Sequence, residues 1–186
     1  MYKEYDFDPH HLPNDVLAAI GLAMASSAQT ESVIDMAIAG CLGVEVDYGA
    51  AVTTHMPAPL RDSVLRAVAE IRIDDLDTLD ELDRILDHIR DEVQTRRNAI
   101  VHHTWCRDPI TGEVFTVKQT ARGSVDAELI PMPISKIESD AELIYEAGMK
   151  LMLFLKSHNL FPPFPAQPRA RTHKTRAARK RRRRSS

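Results

Sequence analysis

The sequence predicts a mainly α-helical fold, an antiparallel bundle of four to five helices with a small β-hairpin or meander inserted before the last long helix. Apolar side chains recur at helical spacing in four long segments. Between the last two segments, over about 104–133, the composition changes to Val, Phe and Thr between turn residues. With 186 residues and 44% hydrophobic content, the chain can bury one core without disulfides or metals. We therefore expect an arm over 1–12, a helical domain over 13–160 and a linker with a basic tail over 161–186.

The first long helix is predicted from Val16 to Leu42, with Asn14 or Asp15 as its cap and Gly43 as its stop signal. A break near Thr30 is an open alternative. The run from Ala18 to Ala28 is unusually rich in small side chains, and two interpretations stay open. It is either a surface for close approach of a second copy or an Ala-rich helix with good intrinsic propensity.

Loop chemistry is predicted for Val44 to Pro59, which contains Gly49, Pro57 and Pro59. A second amphipathic helix starts at Ala58 or Pro59. A third begins near Thr78, which forms a capping box with Glu81. Its apolar stripe runs at regular three- and four-residue spacing through Leu79, Leu82, Ile85, Leu86, Ile89, Val93 and Ile100.

Acidic side chains crowd the start of this third helix, at Asp74, Asp75, Asp77, Asp80, Asp83, Asp87 and Asp91. A calcium loop of the EF-hand type is not expected, because that loop needs a central Gly and a terminal Glu at fixed offsets. Acids at a helix start complement the helix dipole, and the remainder form a solvated face that includes His88. We predict no metal site and no cofactor.

The inserted segment is predicted to consist of short strands separated by turns. Asp108 to Gly112 has turn chemistry, Glu113 to Thr120 is rich in Val, Phe and Thr, and Ala127 to Met132 can pair as a further strand after a turn at Arg122 to Ser124. It is either a rim beside the residues discussed next or a hairpin that covers a hydrophobic edge, and we favour the hairpin. Ser139 and Glu142 form another capping box at the start of the last helix.

Chemically capable side chains are concentrated in the stretch from Arg96 to Trp105, Arg-Arg-Asn-Ala-Ile-Val-His-His-Thr-Trp. Two cations, an amide and two imidazoles within eight residues can bind a phosphate, stabilise its developing charge and move its proton. Ribonucleotide cleavage requires these three functions. The candidate catalytic residues are Arg97, Asn98 and His102, with Arg96 and His103 in support.

The pattern Arg-Asn-x-x-x-His at Arg97 to His102 resembles the signature of the HEPN superfamily, an Arg, a polar residue and a His four to six positions beyond the Arg. The resemblance covers most of 13–159 in architecture, but in residues it rests on this motif. It implies metal-independent RNA cleavage at a site where two protomers meet. A subgroup of HEPN toxins has a Tyr two positions after the His, at which a partner enzyme neutralises the toxin. That position is Thr104 here, so we do not expect this form of inhibition, and another antitoxin remains a candidate partner.

Helix geometry constrains this motif. Five residues of a regular helix turn through about 500°, so Arg97 and His102 would point roughly 140° apart and would not easily share one phosphate. Asn98 and His102 would face the same way. Either the helix loosens before His102, or the two residues act on groups from opposite protomers, or there is no catalysis. Of these, a homodimer with the site at a shared cleft is our hypothesis.

In the expected chemistry, His102 removes the proton of a ribose 2′-hydroxyl, Arg97 stabilises charge on the phosphoryl oxygens and Asn98 orients the imidazole or the phosphate. Arg96 adds a phosphate contact and His103 protonates the leaving oxygen. Two alternatives stay open. One is a HEPN-like module that binds RNA or nucleotide without cutting it. The other is an unrelated helical interaction protein, in which Arg97 pairs with an acid and the two histidines close a helix C-terminus.

Charge is distributed unevenly along the chain. The segment from Pro168 to Ser186 carries ten Lys or Arg and no acid. Removing these ten from 24 leaves 14 bases against 27 acids, so the body carries about −13 and the tail about +10. The candidate nucleic-acid-binding residues of this tail are Arg179, Lys180, Arg181, Arg182, Arg183 and Arg184. They can hold RNA, bind DNA or ribosomes non-specifically, fold back onto the acidic body, or form a nuclear address.

Signals for secretion or membrane insertion are not evident in the sequence, and Cys41 and Cys106 show no pairing or ligand spacing. We therefore expect a protein of the cytoplasm, with RNA as its partner and no membrane association.

Overall fold

A computed structural model describes residues 4–121 and 125–163 of the chain. The described part contains six α-helices, a short 3-10 helix (Pro9–His11), a π-helical turn (Ile89–Val93) and one sheet of three strands. In chain order these are α1 (Asn14–Cys41), α2 (Val46–Thr53), α3 (Ala58–Arg72), α4 (Leu76–His88), α5 (Gln94–His102), β1 (Thr104–Arg107), β2 (Val114–Ala121), β3 (Val125–Pro131) and α6 (Ile134–Ser157). The predicted helical bundle with a meander before the last long helix is confirmed.

Helix α1 is continuous, so the break considered near Thr30 does not occur. The buried Thr30 hydroxyl lies 3.1 Å from the carbonyl oxygen of Ser26 and 2.9 Å from that of Ile144 on α6. Gly148 of α6 packs directly on Thr30, where a side chain would collide with the threonine. The polar group is therefore satisfied inside the helix interface and does not have to interrupt the helix.

The small side chains of α1 divide into two sets. Ala19, Ala23, Ser26 and Ser27 are buried inside the chain's own bundle, in which α1 packs most extensively on α6. Their small size allows close packing within one chain. The remaining members of the run are exposed, namely Ala18, Gly21, Ala25 and Ala28. A contact between two copies through this second set stays a prediction.

Helix α2 lies where the sequence predicts a loop. It folds back along α1, with Gly49 packed against Ala39. Because α2 adds one short helix between α1 and α3, the later helices run in the opposite direction from the one they would have without it. Helices α1 and α6 run in the same direction, since Thr30 lies beside Gly148 and Gly40 beside Leu160. The helices α4 and α5 run antiparallel to α6, since Glu81 lies beside His158 and Arg96 beside Asp140.

The starts of two helices differ from the capping boxes in the sequence. Helix α4 begins at Leu76, two residues before Thr78, because the Asp75 carboxylate accepts the Thr78 amide at 2.8 Å. Helix α6 begins at Ile134, five residues before Ser139, and follows Pro133. Helix α3 starts at Ala58, as predicted.

The three strands form an antiparallel meander in the order β1-β2-β3, with Cys106 opposite Phe115 and Val117 opposite Leu129. The turn between β1 and β2 is built on the buried Asp108, whose carboxylate accepts the amide of Ile110 at 2.9 Å. The turn predicted at Arg122 to Ser124 lies outside the described residues.

The described part of the N-terminal arm packs against the sheet. Asp6 pairs with Arg107 through two backbone hydrogen bonds of 2.8 Å. The rings of Tyr5 and Phe115 meet edge to face, with centroids 5.6 Å apart. The arm therefore extends the sheet edge next to β1.

Replacing Gly40 with alanine is expected to lower the free energy of unfolding by about 1–3 kcal/mol, because the added Cβ would overlap the carbonyl oxygen of Leu160. The matched control is Gly21→Ala in the same helix, where the added Cβ meets nothing. Removing that glycine is expected to stabilise the helix by about 0.5–1 kcal/mol. Urea unfolding of both variants measures the difference, and equal stabilities would contradict the described packing.

Candidate functional site

The motif residues lie on α5, which continues α4 through the π-helical turn Ile89–Val93. The amide of Gln94 donates to the carbonyl of Ile89, five residues back, so the turn contains one residue more than a regular α-helical turn. Ile89 and Val93 are both buried in the core. Helix α5 ends at His102, and the indole nitrogen of Trp105 donates to the helix carbonyl of Ile100 at 2.9 Å. This bond fixes β1 to the end of the motif helix.

Arg97, Asn98 and His102 form one hydrogen-bonded cluster. Arg97 Nη1 lies 3.0 Å from His102 Nε2 and 3.2 Å from Asn98 Oδ1. The expectation that Arg97 and His102 point apart within one chain is therefore wrong. The angle of about 140° applies to the Cβ directions, whereas the long arginine side chain spans the distance to the imidazole at the helix end. The helix does not loosen before His102, and no second protomer is needed for this contact.

The protonation pattern of His102 follows from its partner. A guanidinium group has only donors, so Nε2 of His102 must accept the hydrogen bond from Arg97. In that arrangement the imidazole is neutral and carries its proton on Nδ1. The lone pair of Nε2 is occupied by Arg97 in this arrangement, so Nε2 can act as a general base only once the Arg97 guanidinium has released it. His102 and Asn98 are both exposed, so a substrate can reach them.

Beside this cluster lies a cavity of about 530 Å³ between α1, α3, α4 and α5. Its apolar lining includes Ile34, Pro59, Leu86 and Ile89, and its polar lining consists of Glu31, Arg61, Asp62, Ser63, Arg90, Gln94, Arg97 and Asn98. Arg97 and Asn98 thus connect the cavity to His102. The volume falls within the range of small-molecule and nucleotide sites.

Two cavity residues, Arg61 and Glu31, were not predicted from the sequence. Arg61 Nη1 lies 3.4 Å from Glu31 Oε2, and Arg97 Nη2 lies 3.8 Å from Glu31 Oε1. Arg61 belongs to α3 and Glu31 to α1, so only the tertiary packing brings them to the motif. Their own segments contain no local pattern that distinguishes them from ordinary surface charges.

Arg96 has a different environment from its neighbour Arg97. Its Nη1 lies 2.6 Å from Oδ1 of Asp140, a carboxylate that is only 1% exposed, and its Nη2 lies 3.4 Å from Glu92. Lys136 Nζ also reaches Asp140, at 3.2 Å. The prediction that Arg96 adds a phosphate contact is not supported by this placement. Adjacent helix residues point about 100° apart, and Arg96 faces α6 whereas Arg97 faces the cavity.

His103 follows the helix end and is half-buried. Burial lowers the pKa of its imidazole, and the charge of Lys118 adds to this effect. Its Nδ1 is buried and has no hydrogen-bond partner among residues 4–121 and 125–163. A neutral imidazole is a weak proton donor, so the environment does not favour His103 as the acid that protonates a leaving oxygen.

The lowered pKa of His103 predicts a pH-dependent stability. The unfolded chain takes up the proton at the ordinary imidazole pKa of 6.5, before the folded protein does. This contribution to the free energy of unfolding is therefore present above pH 6.5 and declines as the pH falls through that value. Denaturant unfolding between pH 7.5 and 5.5 should show a shallower decline in His103→Gln than in the unchanged protein. Parallel curves would contradict the assignment.

The acids of the third predicted helix make helix caps and ion pairs. Asp75 caps α4, and Arg66 binds the carboxylates of Asp62, Asp83 and Asp87. In the described part of the chain, no group of three or more His, Cys, Asp or Glu side chains is arranged to hold a metal ion. His88 is exposed, as expected.

The α-helices that the structure describes range in length from 8 residues in α2 to 28 residues in α1. None of them is by itself long and apolar enough to cross a bilayer, and only the pair α1 and α2, bent by 115°, meets the length and composition criteria jointly. The predicted nucleic-acid-binding residues Arg179, Lys180, Arg181, Arg182, Arg183 and Arg184 lie outside the described residues.

The fold and the site define a mainly helical protein with an Arg-Asn-His cluster, of which Arg97 and Asn98 line a charged cavity. Searches with protein-family models, against curated proteins and against solved structures found no match for this chain. The resemblance to the HEPN superfamily therefore stays a prediction from the sequence motif.

Proposed function

We propose that the protein is a metal-independent endoribonuclease of the HEPN type, acting as a toxin or as a defence or stress ribonuclease. The observation that carries this proposal is the contact of 3.0 Å between Arg97 Nη1 and His102 Nε2. It brings a cation and an imidazole nitrogen together, and in the proposal both act on one phosphodiester. Arg97 and Asn98 also line a cavity whose volume falls within the range of nucleotide sites.

The proposed reaction is a transesterification within RNA. Arg97 Nη1 first releases His102 Nε2, which then removes the proton of the ribose 2′-hydroxyl; the hydroxyl oxygen attacks the adjacent phosphorus, and the bond to the 5′-oxygen of the next nucleotide breaks. Arg97 stabilises the negative charge that develops on the phosphoryl oxygens. Asn98 Oδ1 accepts from Arg97 and thereby orients the guanidinium. The products are a 2′,3′-cyclic phosphate and a 5′-hydroxyl, and the proton taken up by His102 returns to the leaving oxygen or to solvent.

RNA, a second copy of the chain and an antitoxin protein are the partners in this proposal, and the cytoplasm is its location. The HEPN resemblance is the reason for the homodimer, since Arg97 and His102 already meet within one chain. The basic tail would hold RNA near the cavity through counterion release. Light scattering at assay concentrations tests the dimer, and a monomer that still cleaves RNA would remove the second copy from the mechanism.

Incubating mixed RNA with the protein in excess EDTA tests the enzyme directly. We expect cleavage to persist in the chelator and to fall by a factor of about 10²–10⁴ in His102→Ala, because the general base is lost. His88→Ala is the matched control, since His88 is an exposed histidine of the same continuous helix and lies away from the motif.

Four readouts separate the outcomes of that experiment. The released fragments should carry 2′,3′-cyclic phosphates, and DNA should stay intact because it lacks the nucleophile. Cleavage that disappears with EDTA would contradict the metal-independent mechanism. RNA binding without cleavage by both the unchanged protein and His102→Ala would support the binding module instead.

A further inference from the structure

Arg61 approaches the motif from α3 and is largely shielded from solvent, with a side chain 14% exposed. Its Nε donates to the carbonyl of Met56 at 3.1 Å and lies 3.6 Å from Asp35 Oδ1. This bond fixes the plane of the guanidinium. Its outer nitrogen, Nη1, is thereby directed across the cavity toward Glu31.

Glu31 stands between two guanidinium groups. Its Oε2 lies 3.4 Å from Arg61 and its Oε1 3.8 Å from Arg97. Charge-assisted hydrogen bonds between guanidinium and carboxylate normally measure about 2.7–2.9 Å. The single carboxylate thus spans the two cations loosely, and both contacts are longer than optimal.

The donors of Arg97 are only partly used by this arrangement. Nη1 serves Asn98 and His102, Nη2 makes the long contact with Glu31, and Nε is buried with no hydrogen-bond partner among the described residues. A buried donor without a partner costs free energy. A larger, tetrahedral oxyanion could engage Arg61 and Arg97 together, because its oxygens are spread in three dimensions, whereas those of a carboxylate lie in one plane.

The other charged groups that line the cavity are already engaged in ion pairs. Arg90 pairs with Asp87 and Asp91, and Asp62 pairs with Arg66. The net charge at this end of the cavity therefore depends on the guanidinium groups of Arg61 and Arg97 and on the carboxylate of Glu31. Asp35 lies behind Arg61. Removing the charge of Glu31 would leave an excess of positive charge at the point where the two guanidinium groups converge.

We propose that Arg61 and Arg97 form one phosphate-binding site and that Glu31 competes with the phosphate for it. The ligand class is a phosphate monoester or diester. The identification of this ligand as a phosphate of single-stranded RNA next to the scissile one rests on the proposed function, whereas phosphate binding does not. Arg61 would then be a binding residue for the substrate, and Glu31 would set the affinity of the site for anions.

Titration with inorganic phosphate, followed through the Nε–H resonances of the arginines by NMR, tests the site without any cleavage. Glu31→Gln should bind phosphate about tenfold more tightly than the unchanged protein, since one competing charge is removed. Glu70→Gln is the matched control, because it makes the same charge change at an exposed position of α3. A merely structural role for Glu31 would weaken binding or leave it unchanged.

Replacing Arg61 tests the second half of the site. Arg61→Gln should weaken phosphate binding about tenfold or more. Arg61→Lys should recover only part of the lost affinity, because lysine keeps the positive charge but lacks the planar, forked donors of a guanidinium. Arg84→Gln, an exposed arginine of α4 that donates to its own helix, is the control. Circular dichroism identifies any variant that fails to fold, and Glu31→Gln then decides the question alone.

An uncleavable 2′-O-methyl RNA hexamer separates this proposal from the proposed function. Tighter binding of phosphate and of the hexamer by Glu31→Gln, without cleavage of ordinary RNA by the unchanged protein, would support the site and contradict the nuclease. Equal affinities in Glu31→Gln and Glu70→Gln would overturn the site, whether or not RNA is cleaved.

Discussion

Replacing Arg96 with glutamine is expected to lower the free energy of unfolding by about 2 kcal/mol. Arg96 is the closest partner of Asp140, a carboxylate that is 1% exposed. Breaking a buried ion pair by removing one partner costs about 3–5 kcal/mol. The effect here is smaller, because the Arg96 side chain is 36% exposed and Lys136 still reaches Asp140 at 3.2 Å. Urea unfolding at neutral pH measures the change.

A second substitution isolates the cause of this loss. Asp140→Asn removes the buried charge, so adding it to Arg96→Gln should restore part of the stability lost in the single variant. The double-mutant cycle should give a coupling energy of about 1–3 kcal/mol between the two positions. Additive effects would show that Arg96 stabilises the fold through something other than Asp140.

The helical architecture could be predicted because its signals are local and repeated. The apolar stripe from Leu79 to Ile100 continues over six turns, and six of its members are buried to 4% exposure or less, Leu82, Ile85, Leu86, Ile89, Val93 and Ile100. Helix ends were less predictable. Thr78 forms a plausible capping box with Glu81, but Asp75 caps the helix earlier and uses the Thr78 amide itself.

Helix α2 shows why the directions of the helices could not be predicted from the sequence alone. Its eight residues contain Gly49 and start without a side-chain cap, so a loop was the better prediction from the sequence. The glycine is required by the packing, since a Cβ there would collide with Ala39. Tertiary contact therefore stabilises a helix that local propensity does not indicate, and the added pass makes α1 and α6 run in the same direction.

The candidate site could be predicted only in part for a similar reason. The motif places Arg97, Asn98 and His102 close together in sequence, and the structure places them in one cluster. Arg61 and Glu31 are 36 and 66 residues away from Arg97 along the chain, and packing alone joins them to it. The sequence also could not show which of Arg96 and Arg97 faces the cavity. The π-helical turn before them changes the direction in which later side chains point, and no residue pattern predicts that turn.

Replacing Arg97 with glutamine is expected to reduce RNA cleavage by a factor of about 10²–10³, because the charge that develops on the phosphoryl oxygens loses its donor. Stability should change by less than about 1 kcal/mol, since the ion pair of Arg97 with Glu31 is long, at 3.8 Å, and partly solvated. Cleavage by Arg97→Lys should remain impaired as well. The ammonium group of lysine lacks the planar set of donors with which a guanidinium contacts Asn98, His102 and a phosphate. Single-turnover cleavage with saturating RNA and thermal unfolding measure the two quantities.

Arg96→Gln and Arg97→Gln have identical composition and net charge, so any difference between them arises from the direction in which each guanidinium points. The structure predicts opposite results. Loss of the arginine that faces α6 should reduce stability and leave the rate per folded molecule intact, whereas loss of the arginine that faces the cavity should reduce the rate and leave the fold intact. If both variants lose activity in proportion to stability, the motif is a structural element of the bundle. If Arg96→Gln alone loses activity at full stability, the phosphate lies on the α6 side of the helix, and the cavity between Arg61 and Arg97 is not the site of the reaction.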